Sequence, residues 1–141
     1  MEISRRNLCL LIPALAAVPA FAAEEEFLPS KAYPFEELPV HASGENKSRA
    51  VMAGKTHTGF MVELHETDLA PGGAPHPPHH HDHEETFLVR EGEIEVTIEG
   101  KAHRVGPGSV VFVASNQEHG VHNAGTGHAQ YFVFALGTGK A

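Results

Sequence analysis

Apolar and polar residues alternate between residues 94 and 99, and this alternation constrains the fold more than any other feature of the sequence. Ile94, Val96 and Ile98 fall on one face of a β-strand, and the intervening glutamate and threonine residues fall on the other. Gly92 and Gly100 bound the segment and favour turns. The segment is therefore predicted to be a half-buried strand with its apolar face toward the core.

Further short segments have apolar or β-branched sequences typical of strands, and glycine-containing or polar turns separate them. Gly106-Pro107-Gly108 is the strongest turn signal, because proline presets one turn residue and glycine accepts positive φ. In residues 60–64 the alternation predicts that Phe60, Val62 and Leu64 face the core. The further strands are predicted at residues 49–52, 60–64, 85–89, 102–105, 110–113, 119–123 and 130–136.

No segment after residue 22 shows a helical period, and short strands at this regular spacing are typical of a β-sandwich or barrel. A chain of 141 residues with 41% hydrophobic content has the size of one domain, which we assign to residues 49–141. Prolines oppose helix formation before residue 40, so residues 23–48 are predicted to be an extended arm. Apolar side chains such as Phe27 and Phe35 are expected to pack on the domain or on a second subunit of a homodimer. A loose linker is the alternative.

Residues 1–22 are predicted to be an export signal. Arg5 and Arg6 precede the apolar run 8–18, and Ala20-Phe21-Ala22 fits a small-residue cleavage site. The run is short for a membrane span and three glutamates follow it, so no membrane attachment is expected after cleavage. The arginine pair fits either a twin-arginine signal or an ordinary secretory signal. Both place the protein in the periplasm or outside the cell.

The charge of the mature chain disfavours a nucleic-acid partner. Without Arg5, Arg6 and Glu2, 8 basic and 17 acidic residues remain, a formal net charge of −9. Binding a phosphate backbone requires clustered Lys and Arg, and the sequence contains no such cluster. Cys9 is the only cysteine and lies in the predicted signal, so the mature chain has no disulfide, thiolate metal site or cysteine nucleophile.

Histidines and glutamates crowd residues 76–85. His79 and His81 are two apart and point to the same face of a strand, whereas His80 points away. Glu85, on the continuing strand, can join them, and a fourth ligand would come from elsewhere. This mixed nitrogen and oxygen set suits Mn, Fe, Co, Ni, Cu or Zn rather than Ca or Mg. A surface histidine tract that binds metal only loosely is the alternative.

The spacing of these residues resembles the cupin family. The first cupin motif, G-x5-H-x-H-x3-E-x6-G, is matched in full, and so is the second, which starts at a glycine, passes through P-x-G and ends in H-x3-N. The second motif usually has a proline shortly before its histidine, and residues 114–118 contain none. The matched residues are Gly73, His79, His81, Glu85 and Gly92 in the first motif and Gly100, Pro107, Gly108, His119 and Asn123 in the second.

This resemblance implies an all-β fold, a double-stranded β-helix or small jelly-roll barrel, with one divalent transition metal inside its mouth. The implied metal ligands are His79, His81 and Glu85 from one strand pair, together with His119 from a strand across the barrel. Four protein ligands leave one or two positions open on a metal that prefers five or six, which is typical of a reactive centre.

The remaining histidines are predicted to lie outside the metal site. Pairing His81 with His83 would put Phe87 in the position of the carboxylate, so this register is rejected. His122 shares the predicted strand of His119 but points to the other face. Rim or solvent positions are expected for His76, His80 and His83, and surface positions for His41, His57, His65, His103 and His128. An apolar wall is expected from Phe87, Phe112, Phe132 and Phe134.

Two functions follow from the resemblance. The first is a metal-dependent oxygenase that acts on a small organic molecule, similar to quercetin dioxygenase-like cupins. The alternative is an exported cupin that binds a small ligand or the metal without turnover. No acid–base residue is identifiable from the sequence, and the cupin fold also hosts isomerases, lyases, decarboxylases and non-enzymes.

Overall fold

The computed structural model describes residues 26–138, so the predicted export signal and the start of the arm lie outside the described residues. Between these bounds the regular structure is nine strands and one turn of 3-10 helix, with no α-helix, and the all-β prediction is confirmed. No helix of the described part is long and apolar enough to cross a membrane. The elements are η1 Phe35–Glu37, β1 Val40–Ser43, β2 Asn46–Lys55, β3 Met61–Leu69, β4 Glu84–Glu91, β5 Ile94–Ile98, β6 Lys101–Val105, β7 Val110–Val113, β8 His119–Asn123 and β9 Ala129–Gly137.

The strands form two antiparallel sheets. The larger sheet has the order β1-β2-β3-β9-β4-β7, and the smaller has the order β6-β5-β8. Because each strand turns alternate side chains to one face, both sheets contribute to one shared core. The buried core cluster is Leu69, Phe87, Val89, Ile94, Val96, Val111, Val113, Val121, Ala129, Tyr131 and Val133.

Local sequence patterns predicted several strands well. Ile94 and Val96 are fully buried, and β7 and β8 have the predicted bounds. The larger sheet begins earlier than residue 49, because β1 and β2 form a hairpin inside the segment predicted to be an extended arm. Gly44 makes the turn of this hairpin with a φ of +62°.

The prediction for the core-facing side of β3 is wrong. Phe60 precedes β3 and is 45% exposed. Val62 is buried, but on the outer face of the sheet, where Leu28 of the arm lies against its pairing partner Gly54. Both faces of β3 are covered, and alternation alone does not tell the inner one from the outer one. The inner face carries Glu63, His65, Thr67 and Leu69.

Phe35 fixes the arm to the outer face of the larger sheet. Two guanidinium groups lie over its ring, with Arg49 Cζ 4.6 Å and Arg90 Cζ 4.1 Å from the ring centroid. Arg49 Nη1 also donates a hydrogen bond of 2.7 Å to Glu66 Oε2, and Glu66 is fully buried. The arm therefore packs on its own domain, while the homodimer stays a prediction. A single 3-10 turn forms within the proline-rich segment. The carbonyl of Pro34 accepts a hydrogen bond from the N–H of Glu37, and the turn does not need the N–H that proline lacks.

Gly92 lies between β4 and β5, and Gly100 lies between β5 and β6. The cost of a side chain can be compared between the two positions. Both have positive φ, +72° and +76°. A Cβ on Gly92 would lie 2.4 Å from His128 O and 2.7 Å from Ala129 Cα, whereas a Cβ on Gly100 would meet nothing within 4 Å. Both glycines therefore need a positive φ, and only Gly92 also lies in close contact with the backbone of another segment.

We expect Gly100→Ala to lower the free energy of unfolding by about 1–2 kcal/mol, the usual cost of left-handed backbone for an L-residue. Gly92→Ala should cost about 1–3 kcal/mol more, because the backbone around residue 128 must also move. Urea denaturation of the two variants and the wild type measures the difference. Equal losses would show that the contact at Gly92 yields without cost.

Candidate metal centre

Three histidines and one glutamate converge where the two sheets meet. His119 begins β8 in the smaller sheet, Glu85 lies in β4 of the larger sheet, and the segment that leads into β4 carries His79 and His81. The ligand atoms of the three imidazoles lie within 4.8 Å of one another, and this group could hold a metal ion. The structure thus brings together the four residues that the sequence analysis gave as candidate ligands.

Strand β8 turns His119 inward by simple alternation. His119, Val121 and Asn123 are 2%, 5% and 2% exposed. His122 pairs with Glu95 of β5 on the other face, as predicted. The candidate ligand on β8 is therefore buried at the core side of the smaller sheet.

Two backbone hydrogen bonds fix His79 opposite His119. The N–H of each residue donates to the carbonyl of the other, at 2.9 and 2.8 Å. Gly120 permits this approach, since a Cβ there would lie 3.0 Å from Pro78 Cγ. The segment before β4 is thereby attached to β8.

The strand predicted at His79 and His81 is present only as this single bridge, and β4 itself begins at Glu84. Pairing stops after the bridge because the carbonyl of His81 accepts a hydrogen bond of 2.8 Å from the N–H of Asn116, in the loop before β8. The same-face prediction nevertheless describes the result, since His79 and His81 converge and His80 is exposed.

Glu85 lies between two of the imidazoles. Its Oε1 is 3.2 Å from His81 Nε2, and its Oε2 is 3.2 Å from His119 Nε2. Strand pairing with Val113 on one side and Ala135 on the other holds Glu85 in the interior of the larger sheet. Its carboxylate therefore reaches the smaller sheet from a fixed position.

Backbone carbonyls determine which nitrogen of His81 and His119 carries the proton. His81 Nδ1 donates to the carbonyl of His83, and His119 Nδ1 donates to the carbonyl of Gln117, both at 2.9 Å. A carbonyl can only accept, so in the neutral rings the lone pair is on Nε2. Each Nε2 then faces the carboxylate of Glu85, which also only accepts. A cation between these atoms removes the repulsion, and metal-ligating histidines commonly bond a carbonyl through their other nitrogen.

Buried nitrogen atoms without partners also fit a cation. Among the described residues, His79 Nδ1 and His81 Nε2 are buried and have no hydrogen-bond partner. Unpaired buried polar atoms cost free energy, and a divalent transition metal would supply the missing interaction. Three imidazoles and one carboxylate form a donor set that several such metals accept.

The surroundings of His79 favour its neutral form. Burial lowers the pKa of His79 below 6.5, and the neighbouring imidazoles of His76, His119 and His81 lower it further. The carboxylate of Glu85 acts in the opposite direction and raises the pKa. A neutral imidazole is the form that binds a metal.

His83 lies at the rim of this group. Its ring stacks on that of His81 with centroids 3.6 Å apart, and its Nε2 is 3.5 Å from Glu85 Oε1. His81, His83 and Glu85 form a second set that could hold a metal ion. The side chain of His83 is 40% exposed, whereas that of His81 is 17% exposed, so His83 is the more accessible of the two.

A cavity of about 570 Å³ opens beside the four residues and is lined by both Glu85 and His119. Apolar side chains of β4, β8 and β9 form one part of its wall, and polar side chains of β1, β2 and β3 form the other. Burial raises the pKa of Tyr131, which lines the cavity, so this phenol stays protonated. Besides Glu85 and His119, the side chains that line the cavity include His41, Lys47, Glu63, His65, Thr67, His76, Phe87, Val121, Tyr131 and Val133.

Of the phenylalanines predicted to form an apolar wall, Phe87 is buried and lines the cavity. The prediction is wrong for Phe112, which is 56% exposed. It is also wrong for Phe132 and Phe134, which alternate with the inward residues Tyr131 and Val133 and so face outward. A strand with apolar residues on both faces does not indicate by sequence which face is inside.

Sequence reasoning missed two histidines of the cavity. His41 and His65 were predicted to lie on the surface. His41 is exposed, as predicted, but both histidines also line the cavity. They are on β1 and β3, whose inner faces become part of the wall only through pairing across the sheet. His65 Nδ1 lies 3.3 Å from Glu63 Oε1. The alternation in β3 was the available signal, and it was assigned to the opposite face.

Asn123 of the second motif connects the end of β8 to its surroundings. Its Nδ2 donates hydrogen bonds to the carbonyls of Leu69 and Gly127, at 2.8 and 2.7 Å, and its Oδ1 accepts one of 2.9 Å from the N–H of Gly125.

The loop that lacks the usual proline turns instead at Asn116, whose φ is +62°. The departure from the motif therefore leaves His119 in place.

Residues 65–135, about half of the chain, match a protein family described as "Cupin domain". This stretch includes the whole candidate centre. The chain belongs to the cupin family. The resemblance seen in the sequence motifs is thereby confirmed.

Curated relatives of this cupin include L-ectoine synthases. The protein from Bordetella petrii is 38% identical over 74 residues, which cover 51% of this chain and 53% of the relative. The protein from Bordetella bronchiseptica is also 38% identical over 74 residues and is covered to 54%. The cupin thus spans about half the length of the curated relatives that it matches.

Solved cupin structures share the fold. A protein from Thermotoga maritima, described as a predicted oxalate decarboxylase, has a TM-score of 0.66 at 18% identity and covers 76% of this chain and 99% of its own. An RmlC-like cupin from Shewanella frigidimarina has a TM-score of 0.63 at 19% identity, with 79% and 95% covered. One from Methanocaldococcus jannaschii, with a double-stranded β-helix, has a TM-score of 0.61 at 19% identity, with 79% and 94% covered. The predicted double-stranded β-helix is confirmed.

Single substitutions test which histidines bind the metal. His79→Ala, His81→Ala and His119→Ala should each lower the metal affinity of the purified protein by about tenfold or more, because each removes one ligand. His80→Ala is the matched control, since His80 is adjacent and exposed. His83→Ala should also leave the affinity near normal. Metal titration of the variants measures this, and an equal loss in His80→Ala would indicate a loose chelating tract instead.

Proposed function

We propose that this cupin is an exported, metal-dependent oxygenase that acts on a small organic molecule. The observation that carries the proposal is the cavity of about 570 Å³ that contains Glu85 and His119 in its wall. A molecule in this cavity would contact the candidate centre directly. The export part of the proposal depends on residues 1–22, whose arginine pair, apolar run and small-residue site fit a signal.

A divalent transition metal held by His79, His81, Glu85 and His119 would supply a Lewis acid and an electron-transfer centre for a reaction with O2. The protein itself would bind and orient the substrate. The cavity reaches Glu85 and His119 from one side, where a chelating oxygen of an enol or a phenol would bind.

The walls of the cavity suit a molecule with one apolar and one polar side. Phe87, Val121 and Val133 exclude water from one side. Tyr131 lies in the same wall, and because burial raises its pKa the phenol acts only as a hydrogen-bond donor or acceptor, not as a phenolate. Thr67 makes a side-chain hydrogen bond with it.

A second candidate function is that of a synthase, and the L-ectoine synthases among the curated relatives favour it. Their 38% identity over 74 residues is higher than the 18–19% of the structural neighbours named above. The match covers only about half of each protein. The reaction type of those synthases is thus an alternative for the same centre.

Oxygen consumption distinguishes the candidates. The protein is loaded separately with Fe, Mn, Co, Ni, Cu or Zn and is mixed with catechols, flavonols and 1,3-diketones under air. The oxygenase should consume about one O2 for each substrate molecule converted, and His119→Ala should abolish this by removing a ligand. Conversion without oxygen uptake would contradict the oxygenase and support the second candidate. Saturable binding with neither would identify a non-catalytic binding cupin.

A further inference from the structure

A glutamate and a histidine on the inner face of β3 line the same cavity as the candidate metal centre. His65 Nδ1 is 3.3 Å from Glu63 Oε1. Both side chains line the cavity that Glu85 and His119 also line. None of the four metal-ligand candidates lies on β3, so this pair is separate from the centre.

The register of the larger sheet fixes the position of the pair. Glu63 pairs with Ala135 of β9, and Ala135 pairs with Glu85 of β4. Glu63 and Glu85 therefore occupy one row, two strand spacings or about 10 Å apart. The residue between them has only a methyl group, which leaves the space above the row open. His65 occupies the next row, opposite Val133.

The chemistry of the pair is that of a general base. The carboxylate of Glu63 beside Nδ1 favours the tautomer with its proton there, which leaves the lone pair of His65 on Nε2. When Nε2 accepts a proton, the N–H at Nδ1 stays directed at the carboxylate of Glu63. The side chain of His65 is 31% exposed and that of Glu63 is 61% exposed, so a molecule that enters the cavity from solvent can reach the pair.

Other titratable groups of the cavity are less suited to this role. Burial raises the pKa of Tyr131, which keeps that phenol protonated. His76 has its Nδ1 3.0 Å from the carbonyl of Pro77 and its ring against His79, at the centre itself. The charged or titratable side chains that face the cavity from the surrounding elements are His41 on β1, Lys47 on β2, His76 before β4, Glu85 on β4 and His119 on β8.

We propose that His65 accepts the acidic proton of the substrate and that Glu63 positions His65 for this step. The inference rests on the proposed function in one respect, namely that a chelating O–H compound binds at the candidate centre. The O–H bond of the substrate breaks, and the proton goes to Nε2 of His65. The electron pair stays on the substrate oxygen, which becomes an anionic donor toward the centre. No oxidant or reductant takes part.

Binding of 4-nitrocatechol to the zinc-loaded protein tests this step, because the absorbance of the compound reports its ionisation and zinc adds no absorbance of its own. Calorimetry in buffers of different ionisation enthalpy counts the protons released. The variants are His65→Gln and Glu63→Gln. His57→Gln is the control, because His57 is exposed and lies away from the cavity. Zinc content of each variant shows whether the centre is intact, and His65→Asn replaces His65→Gln if that variant does not load.

Wild type and His57→Gln should bind the ionised compound equally. His65→Gln should bind about tenfold more weakly, the loss expected for one charge-assisted hydrogen bond, and should release about one more proton to the buffer per bound molecule. Glu63→Gln should shift both readouts in the same direction by less. A merely structural role of His65 would not change the proton count.

Equal affinity and proton release in wild type and His65→Gln would overturn the inference alone. The inference would also be overturned if His41→Gln, and not His65→Gln, changed the proton count, since His41 would then be the proton acceptor. No binding by zinc-loaded wild type would contradict the proposed function and the inference with it.

Discussion

The two backbone hydrogen bonds between His79 and His119 are the interaction on which the candidate centre depends. They attach the segment before β4, which carries two imidazoles, to the smaller sheet, which carries the third. Glu85 then follows on β4, which belongs to the larger sheet. The centre therefore exists only when both sheets are folded and in contact, so its geometry is a property of the whole domain rather than of a histidine-rich loop.

A domain that closes in this way brings together groups that only accept hydrogen bonds. The Nε2 atoms of His81 and His119 face the carboxylate of Glu85, and their Nδ1 protons are engaged by backbone carbonyls. A cation would relieve this repulsion, and its binding would then be coupled to folding. Another part of the cavity wall has a different character, since Glu63 and His65 lie 3.3 Å apart there and are partly exposed. A chelating substrate would lie between a cation site and a base.

Much of this arrangement was predictable from the sequence because it depends on local patterns. Strand composition and turn signals gave the bounds of β7 and β8, alternation gave the inward side of β5, and motif spacing gave the four candidate ligands. The cavity wall on β3 was not predictable in the same way. The arm covers the outer face of β3, so apolar Val62 is buried there while polar His65 faces the cavity. Which face is inner depends on pairing with distant strands, and no local pattern carries that information.

We infer that the four residues form one cation site inside the fold. Melting temperatures of metal-loaded and metal-free protein, measured from about pH 7.5 to pH 5, decide whether cation binding is coupled to folding. Because the folded-state pKa of His79 is lowered below 6.5, the contribution of this residue to stability is present above that pH and is lost as the pH falls toward the lowered value. The metal-free protein should therefore lose some stability. The loaded protein should lose much more, and more steeply, because several imidazoles take up protons as the metal leaves. Parallel curves for the two forms would contradict the claim and would indicate a surface histidine tract that is not coupled to the fold.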